Sequence, residues 1–306
     1  MKIRTIFNIR KIRRITGVFL IAAISALANT GNLNAQILWK VSGNGLERPS
    51  YLFGTHHAAP VSILDSIKGF NEAFNNIEKV YGEIDMMEMK TPEFMMQTTR
   101  HALAPADSTL SKLLTPPQLD SLSSLLGKYS DGAITATSVE RMKPSMVATQ
   151  ISLMAYLKLH PEFSQQQQLD EFLQKKGRHR GKKVEGFETA RQQIEFLFDT
   201  PIRLQLENLL DLMRNADTLE SKTEELAVFY KNRDFKGIET MVEESGFDKS
   251  TKDILIDKRN GNWIEVLVLE MPRQPLMTVV GIAHLTGKKG LVAQLRNMGY
   301  TVEPVE

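Results

Sequence analysis

The chain has 306 residues, 42% hydrophobic and 24% charged, with 38 Lys and Arg against 36 Asp and Glu, and no cysteine. The missing cysteine excludes disulfides, cysteine-ligated zinc and a cysteine-borne lipid anchor. Six of the basic residues and none of the acidic ones fall in the first 35 positions. The rest therefore carries 32 basic against 36 acidic residues, a net −4, and implies no basic surface for nucleic acid.

Those first 35 residues read as a signal peptide. Lys2, Arg4, Arg10, Lys11, Arg13 and Arg14 form a basic start, and 17–28 is an apolar stretch too short for a comfortable membrane span. Small residues allow cleavage after Ala35, leaving Gln36 first, or after Ala28; an uncleaved anchor is the third outcome. The remaining 36–306 suffice for one large domain or two small ones. An exported chain without cysteine is expected in the periplasm of a Gram-negative bacterium, or secreted, touching a membrane only through its leader.

In chain order, 37–41 alternates apolar and polar, 42–49 reads as a turn, and 51–53 completes a hairpin. Ile63, Ile67, Phe70, Phe74 and Ile77 lie at helical spacing over 63–77. A strand over 79–85 finishes in acidic residues. The stretch 86–175 reads as a mostly helical insertion, with Thr91-Pro92 and Thr115-Pro116 as helix openings and helical spacing over 119–126 and 139–159. Its many methionines, among them Met86, Met87, Met95 and Met96, suit irregular cores or adaptable surfaces better than a soft-metal face. The basic run 175–183 reads as a loop between helix and strand, either solvated or anion-binding. His179 lies among its cations, which excludes it as a metal ligand. A strand over 183–188 runs into a helix over 189–198. Further helices are expected over 202–213, 218–231, 235–244 and 251–270, the last interrupted near Gly261. The final unit is a strand over 276–280, a Gly-Ile-Ala-His turn, a helix over 290–297 and a short strand over 300–302.

One pattern occurs twice. An apolar run ends in Gly-x-x-His at Gly54 to His57 and again at Gly281 to His284. Glycine lets the backbone turn sharply or approach a neighbour closely, and the histidine is left at the carboxyl end of a strand. In open α/β sheets that edge is where ligands bind. Four expected strand ends then carry His57, Glu83, Glu188 and His284. On neighbouring parallel strands they converge on one edge. Two imidazoles and a carboxylate are the ligand set of many catalytic zinc sites, and manganese or cobalt also takes such ligands. The second glutamate would serve as general base toward a water activated by the metal. The roles of Glu83 and Glu188 stay interchangeable, and histidines bonded within a core are the competing reading.

The segments YLFGTHHAAP, VYGEIDM, GFETARQQIEFL, DKRNGNWIEVL and TVVGIAHLTGKKGLVAQLRNMGYTVEPV resemble successive motifs of the TraB/GumN family, which is related to the Tiki metalloproteases that act on Wnt proteins. The resemblance spans roughly 38–305 and is most specific in its last block. It implies an α/β fold akin to the erythromycin esterase/ChaN group, with a central, mainly parallel sheet, and a metal-dependent hydrolase site, a peptidase in Tiki. The family's motifs fall here on Gly54 and His57, Glu83, Glu188 and Gln192, Arg259 and Asn260, and Gly281 and His284. The resemblance places Arg259 as a catalytic cation, stabilising an oxyanion or holding a substrate carboxylate. It makes Gln192 and Asn260 substrate-binding candidates. The extra His56 departs from the pattern. Successive strand residues face opposite ways, so His57, in the Gly-x-x-His register, is expected to take the metal. The expected activity is hydrolysis of a peptide or other small substrate with a divalent Zn, Mn or Co ion. The rivals are a metal-independent esterase-like hydrolase and a non-enzymatic haem- or peptide-binding protein, since ChaN relatives bind haem.

Overall fold

The computed structural model describes residues 36–56, 59–161, 163, 168–244 and 249–305. Among them, no helix is long and apolar enough to cross a membrane. The leader lies outside the described residues.

Six strands form one mixed sheet: β1 (Leu38–Ser42), β2 (Ser50–Thr55), β3 (Lys79–Gly82), β4 (Lys183–Gly186), β5 (Leu276–Gly281) and β6 (Thr301–Pro304). Their spatial order is β4-β3-β5-β2-β1-β6. The β4-β3-β5-β2 block is parallel, and β1 pairs antiparallel with both β2 and β6. The expected hairpin is present, with Leu38 opposite Phe53. A parallel strand inside such a sheet is covered on both faces, so its sequence is a near-continuous apolar run. Accordingly β2 and β3 are buried throughout, while β4, at the edge, alternates exposed and half-buried residues.

The helices in chain order are α1 (Phe70–Asn76), α2 (Pro92–Ala102), α3 (Leu110–Leu113), α4 (Pro116–Ser130), α5 (Pro144–Leu159), α6 (Leu169–His179) and α7 (Ala190–Phe198). They continue with α8 (Ile202–Arg214), α9 (Leu219–Lys231), α10 (Phe235–Glu243), α11 (Lys249–Lys252), α12 (Lys258–Glu270) and α13 (Leu291–Asn297). Two apolar cores result. One surrounds the sheet and includes Phe53, Phe70, Phe74, Trp263 and Leu267. The other is made by the helices that follow β3, with Leu122, Leu126, Val147 and Ile151 packed on Leu209 of α8. This second core draws on α8 as well as on the helices within 86–175.

The structure departs from the expected elements in three places. The helix over 63–77 is split into a 3-10 turn (Val61–Ser66) and α1, because Gly69 takes a left-handed φ of 69° between them. Most of the basic run 175–183 is the last turns of α6. There Lys176, Arg178 and His179 face the negative end of the helix dipole, and Gly177 lets the helix approach Val80 and Val184 closely. The helix expected over 251–270 passes through Gly261 without a break. Its irregularity is a π-helical turn at Asp253–Asp257, just before α12. Such turns recur at functional sites.

Candidate active site

The carboxyl ends of β2, β3, β4 and β5 point the same way, and the chain leaves each of them toward one region. Glycines make this convergence sterically possible. A Cβ on Gly186 would lie 2.7 Å from the Asp85 amide nitrogen and the Ile84 Cα, because the exits of β3 and β4 cross there. At Gly54 it would lie 2.1 Å from Ile282 Cδ1 in the turn that carries His284. Gly54 and Gly281, which open the two Gly-x-x-His segments, therefore lie on paired strands, with Thr55 opposite Gly281.

Arg259, on α12, is the hub. Its Nε donates to Glu188 Oε1 (2.7 Å) and its Nη2 to Glu188 Oε2 (3.0 Å), a bidentate pair. Nη2 also donates to Glu83 Oε2 (2.6 Å). Nη1 donates to the Leu255 carbonyl in the π turn (3.1 Å) and lies 3.3 Å from His284 Nε2. A guanidinium has five N–H donors, and these contacts use all five. Burial works against the Arg259 charge, but Glu83 and Glu188 more than offset it, and its pKa is raised.

Glu188 is buried and fully engaged, since its Oε1 also accepts from Trp263 Nε1 (2.9 Å). Burial pushes its carboxyl above the ordinary value, against the pull of Arg259. Glu83 is differently placed. Its Oε1 accepts from the Gly281 amide (2.9 Å) and stands 3.8 Å from His284 Nε2, and its side chain keeps 13% exposure against 5% for Glu188. Glu83 is thus the carboxylate that faces both the imidazole and the solvent.

Asn260 fixes the state of His284. Its Nδ2 donates to the carbonyls of His284 (3.0 Å) and Lys289 (2.9 Å), so its Oδ1 must accept, and it meets His284 Nδ1 at 2.7 Å. Nδ1 therefore carries the proton, and the Nε2 lone pair points toward Glu83 and Arg259. A metal-ligating histidine is typically oriented in this way by a partner on its other nitrogen. Asn260 is wholly buried, so its role here is to hold the turn and the tautomer.

A model of the TraB/PrgY/gumN family matches residues 37–304. The chain belongs to the TraB/PrgY/gumN family. That span agrees with the resemblance read from the motifs. Comparison with curated proteins and with solved structures found no match.

Of the residues singled out in this TraB/PrgY/gumN chain, Glu83, Glu188, Arg259, Asn260 and His284 come together, although they span 202 positions from Glu83 to His284, 284 less 82 counting both ends. His57 lies outside the described residues. His56 is described, and its ring lies beside Tyr230 (5.5 Å) and Tyr156 (6.1 Å). Gln192 does not join the site. It is exposed and forms a capping box with Thr189 at the start of α7, while the next residue, Gln193, reaches Glu83 Oε2 at 3.4 Å. Arg259 is held by Glu188, Glu83 and the Leu255 carbonyl, and its Nη1 also lies 3.3 Å from His284 Nε2. Trp263 was not singled out, although its position one turn after Arg259 on the same helix face marks it.

These donors bear on the metal that the family resemblance implies. No group of three or more His, Asp or Glu suited to a metal occurs among the described residues. N–H donors occupy both oxygens of Glu188 and both of Glu83, so what separates the two is place. Glu83 Oε1 stands 3.8 Å from His284 Nε2 and its side chain is the more exposed, with Arg259 and Glu188 beside the pair; His284 and Glu83 are the residues placed to hold a cation.

Proposed function

We propose that this protein is an exported, metal-dependent hydrolase, most plainly a peptidase, acting in the periplasm or outside the cell. The observation that carries the reading is His284 Nε2 3.8 Å from Glu83 Oε1, at the carboxyl ends of the parallel strands and beside Arg259 and Glu188. An imidazole nitrogen and a carboxylate oxygen so placed are ligand types that a divalent ion takes. His284 and Glu83 would hold a divalent ion (Zn, Mn or Co), with His57 the expected further ligand. When bound, such an ion supplies Lewis acidity toward a carbonyl group and makes water a stronger acid.

The protein's own groups do the rest. Asn260 holds the His284 ring by its Nδ1, so that Nε2 is aimed at the site. Arg259 and the Gly281 amide hold Glu83 in place beside His284. Glu188 anchors Arg259 and takes no direct part. The export element of the proposal rests on the basic and apolar leader.

The test is hydrolysis of a peptide library by the purified chain from Gln36 onward, supplied with Mn2+, Co2+ or Zn2+. Turnover that disappears with chelator, returns with metal and is absent in His284→Ala is expected. Turnover that survives exhaustive chelation would instead mean a metal-independent hydrolase.

A further inference from the structure

Trp263 touches three of the site's polar groups at once. Its Nε1–H donates to Glu188 Oε1 at 2.9 Å. Its ring lies 4.3 Å from the His284 imidazole, and the Arg259 guanidinium lies over it at 4.9 Å. It is completely buried. Phe187 stacks on it at 5.3 Å, and Tyr81 stacks on Phe187 at 4.7 Å. An indole wedged in such a column has one orientation.

That orientation bears on the division of labour between the two glutamates. Arg259 alone does not distinguish them, because its Nη2 reaches Glu83 at 2.6 Å and Glu188 at 3.0 Å. The indole N–H is a donor only, and it is spent on Glu188. With Arg259 Nε on the same oxygen and Nη2 on the other, both Glu188 oxygens are committed. Glu83 is the carboxylate left to face His284.

We propose that Trp263 is a positioning residue that commits Glu188 to Arg259 and thereby assigns Glu83 to the reacting side of the site. This rests on the reading of His284 and Glu83 as the working pair.

The chain has two tryptophans, so in a Trp39→Phe background Trp263 is the sole indole. Its 15N-labelled Nε1–H should give one downfield resonance that moves upfield on Glu188→Gln. A resonance that stays put would overturn the proposal. Trp263→Phe keeps an aromatic ring in the column and removes the N–H with part of the indole, so its effect is read against Glu188→Gln, which removes the charge at the other end of the same hydrogen bond. It should lower kcat by about tenfold with KM unchanged, weaken Mn2+ binding by about the same factor, and have little further effect once Glu188→Gln is present. Wild-type kcat and Mn2+ affinity in Trp263→Phe would also overturn it. If the wild type binds no Mn2+, the proposed function fails. The indole resonance needs neither metal nor substrate and still decides where Trp263 donates.

Discussion

Replacing Arg259 by methionine removes a charge from the centre of the network while keeping the side chain's length. The side chains of Arg259, Glu83 and Glu188 are 6%, 13% and 5% exposed, so the two carboxylates would be left in a poorly hydrated interior without their shared cation. Breaking a buried ion network by removing one partner costs about 3–5 kcal/mol. In a chain of this size each kcal/mol shifts the melting temperature by about 2–4 °C, so Arg259→Met should melt on the order of 10 °C lower at neutral pH. The deficit should depend on pH with a definite sign. Burial already raises the Glu188 pKa, and loss of the guanidinium raises it further. A carboxyl whose folded pKa lies above its unfolded one favours the folded state at low pH and loses that contribution as pH rises through the folded value. The deficit should therefore be smallest near the ordinary glutamate value of about 4.3 and grow toward neutrality. Glu188→Gln in the same background should recover part of it, because these contacts are not additive. Thermal and urea unfolding of the three chains from pH 4 to 8 measures all of this. A loss below about 1 kcal/mol that does not vary with pH would refute the idea that one guanidinium compensates both glutamates.

Two further perturbations follow from the geometry. Gly186→Ala sets a Cβ against the backbone of the β3 exit. It should cost about 1–3 kcal/mol and weaken metal binding by displacing Glu83 and Glu188, which thermal melts and a Mn2+ titration would read. Away from the site, burial raises the Asp199 pKa, but hydrogen bonds from Lys143 and His101 outweigh it and hold the carboxyl below its ordinary value of 3.8. The stability from these contacts is present above 3.8 and is lost as pH falls below it. The melting gap between wild type and Asp199→Asn should therefore close in acid, and a gap constant from pH 7 to pH 3 would contradict this.

The sheet edge was legible in the sequence because the parallel strands inside the sheet, buried on both faces, give apolar runs, and each of the four parallel strands has a glycine at its end with a histidine or glutamate within the next three residues. That pattern located Glu83, Glu188 and His284 without coordinates. The Thr189-x-x-Gln192 spacing is that of a capping box, which is the part Gln192 plays at the start of α7, whereas the reach of Gln193 to Glu83 depends on how α7 meets β3. The saturation of Arg259 was not legible, since it needs five acceptors from four separate segments. Nor was the π turn, which changes the register of a helix without changing its apolar spacing enough to register. Gly177 looked like a loop glycine, yet it sits inside α6 because the sheet lies too close for a side chain.

The most direct test of the account is the metal content of the purified chain beside that of its His57→Ala, His284→Ala, Glu83→Gln and Glu188→Gln variants, each shown to be folded. The account predicts one divalent ion per wild-type chain, loss of it in the His57, His284 and Glu83 variants, and retention in Glu188→Gln. Equal metal content in wild type and His284→Ala would contradict it.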